Sequence, residues 1–466
     1  MKPNSGFIGR TNERRALVNA LNRDGSRVIM VEGPWRNGKT TFVLETLRDM
    51  DFEYIFFQAR EITAKCNLLS LGEIIGEHVG LSLGFNDYEA LFSYLCSIST
   101  TKPLVMIIDD YPYLKSTNND MDAIIYNALK TYGVHSKLKL ILIAEDGLII
   151  PNRWNSKESH HDLRWDVIHI QPLDYFDSAS FYPTYRSKDK LALYSVFGGV
   201  PYCNALIDHS LSVDENIIQL VVDPNGQLHD MVERYLYRHF KKIDLMNAVL
   251  EVIAHGHSKF MDILHVSHIG TSVRLAQVLN KLIAAGLVKR VEPLNMPKNK
   301  KRAQYHISDP FTHFYYRYIF PDPSTLITSS PLDYFNKQIK VDFYDHYVPL
   351  YLGIITYQFL IHGNQHQLIQ PTFDQIGCYA YADPITKTNG LLDLVTCDKD
   401  GYVIYACLSN DHPLSFNAIY KEIQQATRSG LLDVRYRLIT TNGVKGPLPY
   451  GCTSYTLDQL YDPSFR

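Results

Sequence analysis

The sequence predicts an α/β chain that starts with a parallel sheet, continues through a helical middle and ends in a second α/β segment. Over the first 172 residues, short apolar runs alternate with amphipathic stretches. This alternation is typical of strands joined by helices on both faces of a parallel sheet. A glycine-rich turn follows the first apolar run, and a later run ends in two acids. We therefore expect a P-loop NTPase sheet at the start of the chain.

Five segments of this first part qualify as strands because they are short, apolar and bounded by turn residues. They are residues 28–32, 53–58, 104–109, 138–144 and 166–170. Residues 173–240 lack such a pattern, which indicates helices.

The turn after the first strand has the spacing G-x-x-x-x-G-K-[ST], from Gly33 through Gly38 and Lys39 to Thr40. A loop that wraps a phosphate needs consecutive N–H groups pointing inward, and glycine permits the backbone angles this requires. The helix that follows adds the positive end of its dipole. We expect Lys39 to reach the β- and γ-phosphates of ATP and the Thr40 hydroxyl to ligate Mg²⁺.

The apolar run 104–108 ends in Asp109 and Asp110. A buried strand that ends in an acid places a carboxylate at the sheet edge where α/β folds bind ligands. We expect Asp109 to hold Mg²⁺, usually through water. Asp110 stands where many such ATPases carry a glutamate that orients the attacking water. Because aspartate is one methylene shorter, we expect ATP binding with slow hydrolysis.

Five segments together resemble the archaeal-type ATPase family, a branch of the STAND class of signalling NTPases related to AAA+ proteins. They are FIGRTNERRAL (7–17), GPWRNGKTT (33–41), LVMIIDDYPYL (104–114), FGGVPYC (197–203) and YHISDPFTHFYYRYIF (305–320). The resemblance implies a P-loop ATPase core over 1–172, a helical lid over 173–240 and a winged helix over 241–320. It also implies ATP and Mg²⁺ as cofactors, and a nucleotide-dependent switch as the function.

The resemblance assigns candidate site residues. It implies that the segment with Gly9 and Arg10 packs near the adenine and that Pro201 approaches the base. The candidate catalytic residues are Lys39 and Asp110, and the candidate metal ligands are Thr40 and Asp109. The full candidate nucleotide-binding set is Gly9, Arg10, Gly33, Pro34, Arg36, Asn37, Gly38, Lys39, Thr40, Thr41 and Pro201.

The sequence departs from the family pattern after the fourth strand. The family usually has a small polar residue there that senses the γ-phosphate, whereas this chain reads Ala144-Glu145-Asp146-Gly147. Acids beside a γ-phosphate would be repelled unless they ligate metal or turn away. We assign neither acid a catalytic role.

Residues 243–308 predict two amphipathic helices followed by a strand-turn-strand. Between 287 and 302 this hairpin carries six basic residues and one acid, Glu292. Two interpretations remain open. The hairpin could lie along a DNA backbone while helix 272–285 enters the major groove, or it could serve as a protein interface or a solvated tip. The basic residues are Lys289, Arg290, Lys298, Lys300, Lys301 and Arg302, of which the last four are the candidate DNA contacts.

The Pro/Ser/Thr-rich stretch that opens residues 321–340 predicts a linker. Residues 341–466 weakly resemble a restriction-endonuclease-like α/β domain, which needs several converging carboxylates and a lysine. Here only Asp393 persists, and Ala406 and Leu408 stand where the glutamate and lysine are expected. We therefore expect a degenerate module without nuclease activity.

The composition, 45% hydrophobic and 20% charged, is that of a folded soluble protein. The net charge of -3 gives no whole-chain argument for nucleic-acid binding. No apolar run approaches the roughly 18 residues that span a bilayer, and the start lacks a secretory h-region. The seven cysteines are scattered, without a C-x-x-C pair, which favours reduced thiols. We expect a cytoplasmic protein with no membrane partner.

Overall fold

A parallel sheet of strands that are mostly buried forms the centre of the first part of the chain. Its order within the described residues is β2–β3–β4–β1–β5, and all neighbouring strands are parallel. The strands span Arg27–Glu32 (β1), Glu53–Gln58 (β2), Leu104–Asp109 (β3), Leu138–Ala144 (β4) and Trp165–His169 (β5). These bounds confirm the five predicted strands to within one residue at either end.

The computed structural model describes residues 7–118, 120–145, 165–297, 299, 301–383, 387, 389–431 and 434–465. The chain divides into two compact units, Met1–Pro172 and Leu173–Arg466. The division falls at the predicted end of the ATPase core. The finer division at 240 stays a prediction.

Helices cover both faces of the first sheet. On β1, Val28 and Met30 belong to one apolar cluster, while Ile29 and Val31 belong to another. This split follows from the alternation of side chains along a strand. The helices of this unit are α1 (Thr11–Leu21), α2 (Lys39–Arg48), α3 (Ala64–Val79), α4 (Tyr88–Ile98), α5 (Pro112–Thr117) and α6 (Met121–Tyr132), with a 3₁₀ turn at Gly133–His135.

The second unit begins with short helices, as the sequence predicts for residues 173–240. They are α7 (Tyr175–Ala179), α8 (Ser187–Phe197), α9 (Pro201–Asn204), α10 (Val213–Ile217), a π-helical turn at Ile218–Val222, and α11 (Met231–His239). Gly198 and Gly199 precede α9, and their close packing and backbone conformation within this unit require glycine. A Cβ on Gly199 would lie 1.9 Å from the Leu173 carbonyl oxygen, and Gly198 has a φ of 56°.

Three helices and a hairpin follow. They are α12 (Asp244–Ala254), α13 (Phe260–Val266), α14 (Ser272–Ala284), β6 (Val288–Val291) and β7 (Gln304–Ile307). Thr271 caps α14, since its Oγ1 accepts from the Arg274 N–H at 3.3 Å. A single bridge between Lys259 and Gln304 adds the segment before α13 to the hairpin.

The predicted linker over residues 321–340 is wrong, because this segment is helical and packed. Tyr334, Phe335 and Ile339 are all buried, and the Tyr334 hydroxyl donates to the Tyr318 carbonyl at 2.7 Å. Between residues 310 and 365 the helices are α15 (Pro310–Phe314), α16 (Pro323–Thr328), α17 (Pro331–Tyr334), α18 (Lys340–Asp342) and α19 (Val348–Gln365), with π-helical turns at Tyr315–Ile319, Phe335–Ile339 and Phe343–Tyr347.

The chain ends in a mixed sheet of order β12–β11–β10–β9–β8 within the described residues. Its first three strands are antiparallel, and the last two join in parallel after a helix. The elements are β8 (Gln375–Ala382), β9 (Asn389–Asp398), β10 (Gly401–Leu408), α20 (Phe416–Thr427), β11 (Val434–Thr440), β12 (Cys452–Thr456), α21 (Leu457–Leu460) and a 3₁₀ turn at Pro463–Phe465.

Among the described residues, none of the helices combines the length and apolar character that crossing a bilayer requires.

Candidate nucleotide-binding site

The loop between β1 and α2 has the backbone that the glycine spacing predicts. Arg36 and Gly38 lie in the left-handed region, with φ of 60° and 75°. Alternation between left-handed and right-handed residues turns successive N–H groups toward one concave side, where an anion binds. Gly33 begins the loop against the segment after β5, and a Cβ there would lie 2.2 Å from the Ile170 oxygen. Only glycine permits this close approach.

The Lys39 side chain curves back over the loop. Its Nζ donates to the carbonyl oxygens of Gly33 and Pro34, each at 2.9 Å. The ammonium group therefore lies on the concave loop, where phosphate oxygens would be held. Lys39 is also the first residue of α2, so the charge and the positive end of the helix dipole act on the same space.

Thr40 and Asp109 meet at the carboxyl edge of the sheet. The Thr40 Oγ1 donates to Asp109 Oδ2 at 2.7 Å, and Asp109 is only 7% exposed. Burial raises the pKa of Asp109, and the hydrogen bond from Thr40 opposes that rise. A buried carboxylate beside a hydroxyl is an oxygen pair of the type that Mg²⁺ prefers, so the residues present suit a hydrated magnesium ion.

Asp110 has a strained backbone and a partner on the neighbouring strand. Its φ is 51°, which is uncommon for a residue other than glycine and typical of functional sites. The Gln58 Nε2 donates to Asp110 Oδ2 at 3.1 Å from the end of β2. In the sheet, β2 lies beyond β3 on the side away from β4 and β1, so this bond links Asp110 to the strand that is farther from the phosphate loop.

The segment before α1 reaches the loop through Arg10, which is 5% exposed. Its guanidinium donates to the carbonyl oxygens of Asn37 and Gln171, each at 2.8 Å. Asn37 in turn donates through Nδ2 to the Ile170 oxygen at 3.0 Å. Arg10 and Asn37 therefore tie the entry segment, the loop and the segment after β5 together. The predicted contact of Gly9 and Arg10 with adenine stays a prediction.

The remaining predicted site residues are Pro34, Arg36, Thr41 and Pro201. The Arg36 guanidinium lies 4.2 Å from the centre of the Trp35 ring, which is a cation–π distance. Pro34 is half-buried and Thr41 is exposed. Pro201 begins α9 in the second unit, and its role toward the base stays a prediction.

In the family that the sequence resembles, a γ-phosphate sensor follows the fourth strand, and the structure describes this position only as far as Glu145. Glu145 follows β4 directly and is buried, whereas Asp146 and Gly147 lie outside the described residues. A second buried acid, Glu32 at the end of β1, has its Oε1 2.8 Å from His169 Nδ1. Neither Glu32 nor Gln58 was predicted as a site residue from the sequence. Both stand at the carboxyl ends of predicted strands, and that position could have indicated them.

The parallel sheet, the phosphate-type loop after β1 and the Thr40–Asp109 pair at the end of β3 define the architecture of a P-loop ATPase. A helix N-terminus and two buried strand ends converge at one edge of the sheet, as ligand sites of α/β folds require.

Comparison with known proteins agrees with this fold. The Walker-type ATPase PABY2304 of Pyrococcus abyssi superposes with a TM-score of 0.50 at 16% identity, over 67% of this chain and 96% of its own. The ORC2 protein of Aeropyrum pernix, in its ADPNP and ADP complexes, gives a TM-score of 0.45 at 14% identity, over 66% of this chain and 93% of its own.

One curated relative also matches. It is the uncharacterized protein MJECL04 of Methanocaldococcus jannaschii, 24% identical over 373 residues, which are 80% of this chain and 81% of the relative. No family model matches the chain. The likeness to PABY2304 therefore supports the P-loop ATPase fold and leaves the activity to the site itself.

Proposed function

We propose that the first unit binds Mg-ATP in the loop Gly33–Thr41 and acts as a nucleotide-dependent switch with slow hydrolysis. The observation that carries this proposal is the 2.7 Å contact between Thr40 Oγ1 and Asp109 Oδ2. It joins the end of the phosphate loop to the acid at the end of β3, which is the pairing that holds magnesium in P-loop ATPases.

The residues have distinct roles in this proposal. The loop N–H groups and the Lys39 ammonium bind and orient the β- and γ-phosphates. Thr40 would ligate Mg²⁺ directly and Asp109 through water, and the ion would neutralise charge on the phosphate oxygens. Asp110 would accept a hydrogen bond from the attacking water and so orient it. ATP would then remain bound for long periods and hold the protein in one state.

Three features support slow hydrolysis. Asp110 is one methylene shorter than the glutamate usual at this position, and its carboxylate accepts a bond from Gln58 on the far side of β3. A base must come within hydrogen-bond reach of the water that it orients. Both features lengthen that distance. Where the resembled family has a small polar sensor, this chain carries the acids Glu145 and Asp146, which a γ-phosphate would repel unless they ligate metal or turn away.

The direct test is ATP binding by calorimetry in the presence of Mg²⁺. Lys39→Ala should weaken binding by about tenfold or more, because a charge-assisted contact to phosphate is worth about 1.5–3 kcal/mol. Arg48→Ala is the matched control, since Arg48 lies in the last turn of the same helix and its ion pair is local, with Glu45. Equal ATP binding by the wild-type and Lys39→Ala proteins would refute the nucleotide assignment.

A second candidate is an ATP-gated DNA-binding regulator. The helices α12–α14, the bridge at Lys259 and the hairpin β6–β7 follow one another in the order of a winged helix. The outer face of α14 is polar and exposed at Arg274, Gln277, Asn280 and Lys281. Such a face beside a basic hairpin is the arrangement by which winged helices contact a groove and a backbone.

This second candidate has its own test. Neutral replacement of Lys298, Lys300, Lys301 and Arg302 should weaken duplex binding and flatten its dependence on salt. Lys298 and Lys300 lie outside the described residues. Binding that is absent, or insensitive to salt, would count against a DNA role.

Nuclease activity is not expected. Asp393 lies on β9 two residues from Val395, which is opposite Ile404 of β10. Two and four residues further along β10 stand Ala406 and Leu408, and neither side chain can ligate a metal ion. The sequence of this sheet weakly resembles the restriction-endonuclease-like domain, and we propose that the module is a degenerate relative. Metal-dependent DNA cleavage that Asp393→Ala abolishes would contradict this.

A further inference from the structure

Helix α19 has apolar residues on two opposite sides. One side packs into the second unit, where Leu352 and Ile355 are fully buried. The other side carries Leu350, Ile354 and Tyr357, which are between 36% and 53% exposed. A surface helix is normally polar on the side away from the core, and a contiguous exposed apolar patch marks an interaction site. The second side of α19 therefore has the character of an interface.

The exposed apolar residues form one stripe along the helix. Leu350, Ile354, Tyr357 and the half-buried Ile361 follow one another at spacings of four, three and four residues, which places their side chains on one face over about three turns. These four residues are the α19 stripe. None of the 18 residues of α19 is an aspartate, glutamate, lysine or arginine, so no full charge selects an acidic or a basic partner. The stripe fits an apolar, uncharged helix.

The stripe is symmetric about its own centre. Leu350 and Ile361 lie equally far from its midpoint along the chain, and so do Ile354 and Tyr357. When two copies of such a stripe meet antiparallel about a two-fold axis, residue i of one copy lies opposite residue j of the other, and j opposite i. Leu350 then lies against Ile361, and Ile354 against Tyr357, so every side chain of the stripe meets another apolar one. A second copy of this chain therefore fits the stripe along its whole length.

Gly353 supplies an independent observation. It lies in the interior of α19 with a helical backbone, where glycine disfavours a helix relative to alanine. A Cβ there would meet no atom of the described residues within 4 Å, apart from its chain neighbours and the nearby helix backbone. Neither internal packing nor backbone conformation therefore requires glycine. In the antiparallel pair Gly353 lies beside Tyr357 of the second copy, and its missing side chain leaves room for that large ring.

We propose that the α19 stripe is a homodimer contact, in which two copies of this chain pair their α19 helices antiparallel about a two-fold axis. One stripe of about three turns on each copy is less area than a permanent dimer buries, so the dimer should be weak, in the micromolar range. The stripe belongs entirely to the second unit. The contact therefore goes beyond the nucleotide switch and should form without ATP.

The first test is sedimentation velocity of the full-length protein over a concentration series from about 0.5 to 100 µM. Ile354→Glu places a charge at the centre of the stripe and should weaken association about tenfold or more, because the buried charge has no partner. Val341→Glu is the matched control, since Val341 is an exposed apolar residue outside α19. This control should associate as the wild type does, and so should Lys39→Ala.

Gly353→Ala separates the contact from the fold. In the single chain the new methyl group meets open space and favours the helix, so the melting temperature at low concentration should rise. In the pair the same methyl group crowds Tyr357 of the second copy and should weaken association roughly threefold to tenfold. A purely structural role of Gly353 would not give these opposite effects.

Cysteine pairs test the antiparallel register. Chains that carry both Leu350→Cys and Ile361→Cys should cross-link as dimers on oxidation, whereas neither single variant should cross-link beyond the wild type. Cross-linking by the single variants would overturn the antiparallel arrangement. A wild type that stays monomeric over the whole series would overturn the proposal itself, as would equal association of the wild type and Ile354→Glu.

Discussion

Thr40 and Asp109 stand 69 residues apart in the chain, and the fold brings their oxygens to 2.7 Å. The sequence predicts this meeting, because each residue follows a strand and parallel strands end at one edge of a sheet. The partners of Asp110 and Arg10 were not predictable in this way. Gln58 belongs to a strand end without a motif, and Arg10 bonds main-chain oxygens, which no side-chain pattern identifies.

Gln58 should act as a restraint on Asp110. Replacing it with alanine frees the carboxylate to turn toward the phosphate loop, so ATP turnover should rise by roughly threefold to tenfold, the worth of one hydrogen bond. ATP affinity should not change, since Gln58 lies on the far side of β3. Steady-state turnover and calorimetry measure the two effects.

The control for this prediction is Asp110→Asn. In that background Gln58→Ala should have no further effect, because the two residues act as one unit. A gain in turnover that persisted without the Asp110 carboxylate would show that Gln58 works in some other way.

His313 should make the second unit sensitive to acid. Burial lowers the pKa of His313 from 6.5 to about 4, while its ring bonds the Tyr351 hydroxyl at 2.9 Å and the Ala254 oxygen at 3.2 Å. As the pH falls, His313 therefore binds a proton in the unfolded chain before it does so in the folded protein. The stabilisation is complete above pH 6.5 and is lost progressively down to pH 4, by about 2 kcal/mol at pH 5.

Urea denaturation at pH 7.5 and pH 5 tests this, with His313→Gln as the comparison, because glutamine keeps both polar partners and cannot titrate. The variant should lose about 2 kcal/mol less stability between the two pH values. The three tryptophans are Trp35, Trp154 and Trp165, so their fluorescence reports the first unit and serves as an internal control. An equal loss in both proteins would contradict the role of His313.

At the scale of elements, the five strands of the first sheet were predictable because each is a short apolar run bounded by turns. The segment 321–340 was not, because the residues that suggest a linker also start helices. Asp322 and Ser330 cap α16 and α17, accepting from the N–H groups of Thr325 and Asp333. Pro323 and Pro331 occupy first-turn positions, where proline is well tolerated. The aromatic residues after them are then buried.

Alanine substitution of a buried side chain in this segment distinguishes a packed helix from a linker. Tyr334→Ala should lower the free energy of unfolding by about 3 kcal/mol or more, because Tyr334 is 1% exposed and a large buried side chain is lost. Leu332→Ala is the control, since Leu332 lies two residues away in the same helix and is 59% exposed. Equal, small effects on the melting temperature would favour a linker after all.

At the scale of the whole molecule, the chain divides into its two units at residue 172, which is where the strand pattern of the sequence stops. The contact between the β6–β7 loop and β8 was not predictable. It joins residues about 85 apart through main-chain groups and one asparagine, which carry no periodic signal. The sequence left DNA contact and protein contact open for this hairpin, and the bonds of Leu294 to Cys378 and of Asn295 to Ala380 now supply a protein contact within the chain itself.

The central claim is that ATP binds tightly and is hydrolysed slowly. Turnover of Mg-ATP by the wild-type protein, measured beside direct ATP binding and with and without duplex DNA, tests it most directly. We expect saturable ATP binding with turnover well below the order of 1 s⁻¹. Brisk turnover stimulated by DNA would contradict a switch and make the protein a nucleic-acid-dependent ATPase, and failure to bind ATP would contradict the site itself.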